Sequence, residues 1–212
     1  MKKSIVYTIF LIFATSLCSC VGYYRDMTHL SEDELQWVNC VGVGDTILFD
    51  SDSLHCDTMV ITSKIIKNSR NRFFIHFVDN YMGDFYEATA DYSFFIRHST
   101  DSLPGAFRMK KLIDIDSIEW RIYFYGLFSK DWPFNYRDYD ARPIYREKNP
   151  YKKTNFELSG KELDECLLFD QSNTIYPFEN QPDGGESCIF SKEYGLIYYK
   201  LKNGEEFFRR FE

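Results

Sequence analysis

Residues 85–97 read FYEATADYSFFIR and contain the clearest period of two in the chain. The even positions carry Tyr, Ala, Ala, Tyr, Phe and Ile, whereas the odd positions are mostly polar or charged. Such alternation predicts a half-buried β-strand, because neighbouring side chains in a strand point to opposite faces. At about 3.3 Å per residue the segment would span roughly 40 Å, and strands of that length normally bend or twist. This segment therefore predicts a strongly curved sheet.

The rest of the chain repeats this pattern in short segments with short connections. Further strands are predicted at residues 41–49, 58–66, 72–78, 107–115, 118–125, 154–158, 187–191, 195–202 and 205–211. The Asn203-Gly204 pair is a strong signal for a tight hairpin. Connections this short exclude the crossovers that parallel strands need. We expect a mainly β fold, an antiparallel meander sheet bent into a half-barrel or open barrel.

Two segments carry helical signals. Ser31 and Glu34 match a capping box and predict a short N-terminal helix over residues 32–38. Residues 161–169 (KELDECLLF) fit both helix and strand, because a second capping box precedes them while Leu163, Leu167 and Phe169 could share one face of a strand. We favour a strand for this segment.

The N-terminus has the parts of a secretory signal: two lysines, an apolar run over residues 5–14, and small residues before a cleavage site. The run is shorter than the roughly 20 apolar residues that a membrane-spanning helix needs. Leu17-Cys18-Ser19-Cys20 resembles a bacterial lipobox, which implies cleavage after Ser19 and acylation of Cys20. Cys18 fits less well, because Leu17 would then occupy the place of a small residue. The alternative is an ordinary cleaved signal.

This interpretation divides the chain into a signal peptide (1–19), a lipidated tether (20–28) and a single β-rich domain (29–212). The residues after Cys20 lack the acidic run that directs some lipoproteins to the cell surface. We therefore expect an envelope protein, anchored by its acyl chains in the outer membrane and facing the periplasm, with surface display left open. The net charge of −7 argues against nucleic acid as a partner, since binding there depends on neutralising phosphates. The candidate partners are therefore an envelope protein or a glycan.

Four cysteines follow the anchor region. Cys40, Cys56, Cys166 and Cys188 can form two disulfides in an oxidising compartment, and four cysteines allow three connectivities. If the segments that contain Cys166 and Cys188 are both strands, these two thiols could lie opposite each other across a hairpin. Cys40 and Cys56 would then form the second bridge. The spacing does not match a structural zinc site.

No catalytic motif is present in the sequence. The signatures of serine hydrolases, zinc peptidases, P-loop enzymes and dinucleotide-binding enzymes are all missing. The acidic segment 50–57 fails as a calcium loop, because His55 and Ile61 stand where glycine and glutamate are required. We expect no metal, no cofactor and no enzymatic activity.

The segment 130–140 is aromatic and charged without any period, which predicts a long loop. Aromatic residues together with arginine are typical of binding hot spots, and aromatic platforms also suit sugars. The candidate binding residues are Trp132, Phe134, Tyr136, Arg137 and Tyr139. The alternative is that the loop folds back and covers one open end of the sheet.

The sequence EYGLIYYK at 193–200, followed by Asn203-Gly204-Glu205 and an aromatic last strand, resembles the C-terminus of small lipoproteins typical of Bacteroidetes. The N-terminal part is similar too, with Trp37, then VGDT at 43–46. The resemblance implies an anchored β-rich domain and supplies no activity. Two function classes follow: a non-enzymatic structural or protein-interaction lipoprotein, and a binder of glycans or lipids that uses the aromatic loop or the concave sheet face. A filled concave face favours the first class and an open aromatic trough favours the second.

Overall fold

A computed structural model describes residues 22–26, 28–68, 72–76, 88–111, 118–124, 151–170 and 184–211. In chain order its elements are β1 (Gly22–Asp26), α1 (Glu32–Asn39), β2 (Thr46–Ser51), β3 (Cys56–Lys67), β4 (Arg72–His76), β5 (Thr89–His98), β6 (Asp101–Lys111), β7 (Ile118–Phe124), β8 (Lys152–Leu158), β9 (Lys161–Asp170), β10 (Gly185–Ser191), β11 (Gly195–Leu201) and β12 (Glu206–Arg209). The expected mainly β fold with one short helix near the N-terminus is confirmed for these residues.

Ten of the strands form one antiparallel sheet, in the order β7-β6-β5-β3-β2-β12-β11-β10-β9-β8. Most neighbours in the sheet are also neighbours in sequence, as expected for a meander. The last strand, β12, is inserted between β2 and β11 and so joins the N-terminal and C-terminal halves of the sheet. Within the described residues β7 and β8 do not pair with each other, and the sheet is open.

The sheet is bent so strongly that distant strands touch across its concave face. Phe107 of β6 stacks on Phe190 of β10 with ring centroids 4.7 Å apart, although five strands separate β6 from β10 in the sheet. Phe124 of β7 likewise contacts Tyr199 of β11 at 5.3 Å. We call the buried residues that meet here the inner cluster; its aromatic members are Trp37, Phe49, Tyr92, Phe94, Phe107, Trp120, Phe124, Phe169, Phe190, Tyr199 and Phe207.

Strand β5 shows why residues 85–97 determine this fold. Its even-numbered side chains Ala90, Tyr92, Phe94 and Ile96 are all at most 2% exposed and belong to the inner cluster. The predicted face is therefore confirmed over the part of the segment that the structure describes. Since β5 pairs with both β3 and β6 along most of its length, its apolar face forms the middle of the concave surface.

Helix α1 closes one side of the inner cluster. The capping box is present: Ser31 Oγ accepts from the Glu34 N–H at 3.1 Å, and Glu34 Oε2 accepts from the Ser31 N–H at 2.6 Å. Trp37 and Val38 are buried on the sheet side. An ion pair also joins the helix to the sheet, because Lys192 Nζ lies 2.7 Å from Asp33 Oδ1.

A second apolar cluster lies on the opposite face of the C-terminal strands. We call it the outer cluster; its buried members are Leu158, Leu163, Cys166, Ile189 and Ile197. Strand β9 contributes to both faces, with Leu163 and Cys166 in the outer cluster and Leu167 and Phe169 in the inner one. Residues 161–169 are thus a strand, as we favoured. A bulge in β9, between the pairs Cys166–Thr154 and Leu163–Phe156, bends the β8–β9 hairpin.

The tether predicted over 20–28 contains the strand β1, which pairs with β4 in a separate two-stranded ribbon; the aromatic Tyr23 and Tyr24 favour extended backbone. The connection between β5 and β6 is a tight turn at Ser99 and Thr100, and β6 begins at Asp101. Within β6, Pro104 pairs in register with Phe95 of β5.

Candidate functional site at the Asp57 end of the sheet

One end of the inner cluster is closed by a group of polar side chains. Asp57 lies near the start of β3 and His98 at the end of β5, and the pairing of Thr58 with Arg97 sets these two residues opposite each other. Tyr199 reaches the same place from β11. The Asp57 residue is only 1% exposed, which is unusual for a carboxylate without partners.

Asp57 Oδ2 has two hydrogen-bond partners. The Tyr199 hydroxyl donates to it, and His98 Nδ1 lies 2.9 Å from it. Burial raises the pKa of Tyr199 well above its usual range, and the hydrogen bond to the Asp57 carboxylate raises it further. Tyr199 is therefore a permanent donor at physiological pH. The bond offsets the cost of burying the carboxylate.

Aromatic rings hold this group in place. The Tyr199 ring stacks on Phe207 with centroids 4.7 Å apart and an interplanar angle of 7°. The His98 ring packs edge-on against the same Phe207 at 5.3 Å. Tyr199, His98 and Asp57 thus have little freedom to change conformation.

A second histidine–carboxylate pair lies at the same end of the sheet but on the surface. His55 Nδ1 is 2.6 Å from Glu205 Oε1, and the Ser51 hydroxyl donates to the same oxygen at 3.2 Å. The Ser51 hydroxyl also accepts from the His55 backbone N–H at 3.1 Å. Beside this pair runs an open groove of about 330 Å³, formed by the turns after β2 and β11.

The chemistry of this region resembles half of a catalytic arrangement. A buried carboxylate that binds Nδ1 of a histidine fixes the ring and leaves Nε2 available, as in the base of a catalytic triad. Among the described residues, however, no serine, threonine or cysteine side chain hydrogen-bonds to the ring of His98 or of His55. The same residues contain no group of three or more His, Cys, Asp or Glu side chains arranged to hold a metal ion. What the described geometry supports is a rigid polar closure of the inner cluster.

The acidic segment 50–57, considered in the sequence as a cation loop, is spread over separate contacts. Asp50 forms an ion pair with Arg210, His55 pairs with Glu205, and Asp57 is buried beside Tyr199. The Asp57–His98 contact joins residues 41 positions apart, and no local motif indicates it. Only the pairing of β3 with β5 brings them together.

The expected disulfide arrangement was wrong for the pair Cys166 and Cys188. All four thiols are free in the structure. Cys166 pairs in register with Ser191, and Cys188 pairs with Phe169. The two thiols also point to opposite faces of the sheet, since Cys166 belongs to the outer cluster and Cys188 to the inner one.

Several predicted site residues lie outside the described residues. These are the lipidation residue Cys20 and the aromatic-loop residues Trp132, Phe134, Tyr136, Arg137 and Tyr139. Within the described part of the chain, no helix is both long and apolar enough to cross a membrane. No protein-family model, curated protein or solved structure matches this chain.

Proposed function

We propose that this chain is an envelope lipoprotein, anchored through Cys20, whose β domain is a non-enzymatic structural or protein-interaction module. The observation that carries the proposal is the filled concave face. Phe107, Phe190 and Tyr92 meet in its centre, with Tyr92 and Phe107 centroids 5.6 Å apart. All three side chains are fully buried, which leaves the described interior without the trough that a lipid or sugar would need.

The anchor is the second part of the proposal. Only Val21 separates Cys20 from β1, so an acylated Cys20 would bring the bilayer close to the β1–β4 ribbon. Several acyl chains give stable attachment, since each buried methylene contributes about 0.8 kcal/mol. The missing acidic run after Cys20 supports an outer-membrane location that faces the periplasm.

The anchor is tested by labelling cells that express the full chain with radioactive palmitate. We expect Cys20→Ser to abolish labelling and membrane association, and Cys18→Ser to retain both. Labelling that persists in Cys20→Ser and disappears in Cys18→Ser would show that Cys18 carries the acyl chains and would refute the assignment to Cys20. Protease treatment of intact cells then tests orientation: a periplasm-facing domain is cleaved only after the outer membrane is permeabilised.

The interaction role is supported by Leu54, at the tip of the β2–β3 hairpin. This side chain is 96% exposed and its backbone φ is +66°, a conformation that bulky residues rarely adopt. Neither hydrophobic burial nor turn preference explains a leucine here. An apolar contact with another envelope protein would explain it.

A photo-reactive amino acid at position 54 of the full chain tests this role in living cells. The matched control is position 36, where Gln36 lies exposed on α1. We expect a discrete crosslinked protein from position 54 and none from position 36. In parallel, a dansyl-labelled fatty acid should gain no fluorescence with the purified protein. Stoichiometric uptake of the fatty acid would refute the filled-core argument and favour a lipid binder.

A further inference from the structure

The outer edge of β8 carries a sequence that is complementary to itself. Strand β8 is the last strand of the sheet, and no strand pairs with its far side within the described residues. It reads KKTNFEL, with two lysines near its start and Glu157 near its end. An antiparallel neighbour of the same sequence would therefore bring opposite charges together.

The backbone of β8 fixes which residues can pair across this edge. Ser159 and Gly160 form the turn to β9 with φ values of 53° and 78°, which is typical of a two-residue type I′ hairpin. In such a hairpin the flanking residues Leu158 and Lys161 exchange hydrogen bonds, and bonding then alternates along the strand. Glu157, Asn155 and Lys153 therefore direct their backbone N–H and C=O groups away from β9.

If a two-fold axis passes through Asn155, the outward-directed backbone N–H and C=O groups of β8 in the two copies face each other. Asn155 would pair with Asn155 of the second copy, and Lys153 would pair with Glu157 in two equivalent places. All three side chains are exposed. Neither Lys153 nor Glu157 forms an ion pair with a described residue of its own chain. Both charges are thus available to a second copy.

The other face of β8 is complementary in the same register. Phe156 is half-buried and its ring lies 5.7 Å from that of Tyr198, at the margin of the outer cluster. The two-fold arrangement sets Phe156 opposite Thr154 of the second copy. The outer clusters of the two copies would then meet across the new strand pair, and the exposed parts of both Phe156 rings would be covered.

The opposite edge of the sheet differs in how its charges are used. Turning β7 about Trp120 would set Glu119 opposite Arg121 of a second copy. These two residues, however, already form an ion pair with each other within the strand at 2.6 Å. Pairing of β7 edges would have to replace that ion pair, whereas Lys153 and Glu157 form none with a described residue.

We propose that two copies of this chain dimerise by antiparallel pairing of their β8 strands about Asn155. This inference adds a second copy as a partner to the interaction role proposed above. Edge-to-edge pairing of exposed strands is an established way for sheets to associate, and main-chain hydrogen bonds supply much of its affinity. The Lys153–Glu157 pairs select the register.

Cysteine crosslinking in membranes of cells that express the full chain tests the register. All variants carry Cys56→Ser, which removes the exposed native thiol. Asn155→Cys should form a disulfide dimer under mild oxidation, because the two Cα atoms of a hydrogen-bonded pair lie about 5.5 Å apart. Lys152→Cys is the matched control on the same strand. Its two copies would be offset by six residues, roughly 20 Å, and should not crosslink.

Exchanging the charges of Lys153 and Glu157 tests whether these ion pairs select the register of the dimer. Lys153→Glu and Glu157→Lys, each alone, place like charges opposite each other twice and should reduce the Asn155→Cys dimer on the order of tenfold. The double exchange K153E/E157K restores opposite pairs and should recover the dimer. Mixing the two single variants should yield heterodimers of tagged and untagged chains.

Two results would overturn the dimer: no crosslink from a maleimide-reactive Asn155→Cys, or single exchanges without effect on it. Either result leaves the interaction role intact if position 54 still captures its own partner. Loss of the position 54 crosslink alone would instead refute the interaction role and leave the dimer standing.

Discussion

Gly105 offers the sharpest test of how the inner cluster is packed. It lies on β6 directly opposite Phe94 of β5, and the Phe94 ring covers its backbone. A Cβ atom added at Gly105 would overlap Cε2 and Cζ of that ring and lie 3.0 Å from Cε1. Carbon atoms in proteins pack at about 3.5–4.0 Å, so Gly105→Ala forces the ring to move.

The expected cost combines two opposing effects. Phe94 is 2% exposed and its ring contacts Tyr92 at 6.1 Å and Phe124 at 6.4 Å, so it has no free space to enter. Inserting a methyl group into such a core typically costs about 1–3 kcal/mol. The backbone of Gly105 is not left-handed, so alanine regains about 0.4–1 kcal/mol by restricting the unfolded chain. At the middle of these two ranges the net loss is about 1.3 kcal/mol, which corresponds to a Tm lowered by roughly 3–5 °C for a chain of this size.

Thermal unfolding of the full chain in detergent, followed by near-ultraviolet circular dichroism, measures this change. Gly42→Ala is the matched control, because an added Cβ there meets only the side chain of Asp45, 3.3 Å away at the surface. In the Gly105→Ala background, Phe94→Leu should cost less than it does alone, since it also relieves the overlap. A Tm for Gly105→Ala at or above that of the parent would refute the packing described for Phe94.

Three further predictions concern the buried polar groups. Asp57→Ala leaves the Tyr199 hydroxyl without its acceptor inside the core and should lower the free energy of unfolding by about 2–4 kcal/mol in urea titrations; a change below about 0.5 kcal/mol would contradict the role of Asp57. Burial raises the pKa of Tyr199, Tyr92 and Cys188, so the native state keeps protons that the unfolded chain releases. Stability should therefore be constant below about pH 7.5, where cysteine and tyrosine stay protonated in the unfolded chain too, and should fall as the pH rises to 10.5, with a smaller fall in Tyr199→Phe. Because the thiols are free, Ellman's reagent should modify the exposed Cys56 in the native protein and should reach Cys188 only after unfolding. Detection of two disulfides by mass spectrometry would contradict the structure.

The sequence was most informative where one face of a strand is buried and the other is not. Strand β5 is predictable because Tyr92, Phe94 and Ile96 alternate with mostly polar neighbours. Residues 161–169 are ambiguous for the opposite reason. Strand β9 buries Leu163 on one face and Phe169 on the other, so its apolar residues do not alternate, and a strand buried on both faces reads much like a helix.

The contacts that define the candidate site could not be predicted, because they depend on register between distant strands. A shift of one residue in the pairing of β3 with β5 would separate Asp57 from His98 and reverse every side chain on the shifted strand. The error at Cys166 and Cys188 has the same origin. Their strands are neighbours, as expected, but the pairing offset sets Cys166 beside Ser191 and on the other face.

The two-faced burial of the C-terminal strands also limits how this domain can meet a partner. The inner cluster occupies the concave face, and the outer cluster lies on the opposite face from β8 to β12. Where a sheet buries both faces, its edges and its turns stay available for recognition. The edge of β8 and the hairpin tip at Leu54 are two such places, and the two interaction proposals fall on them.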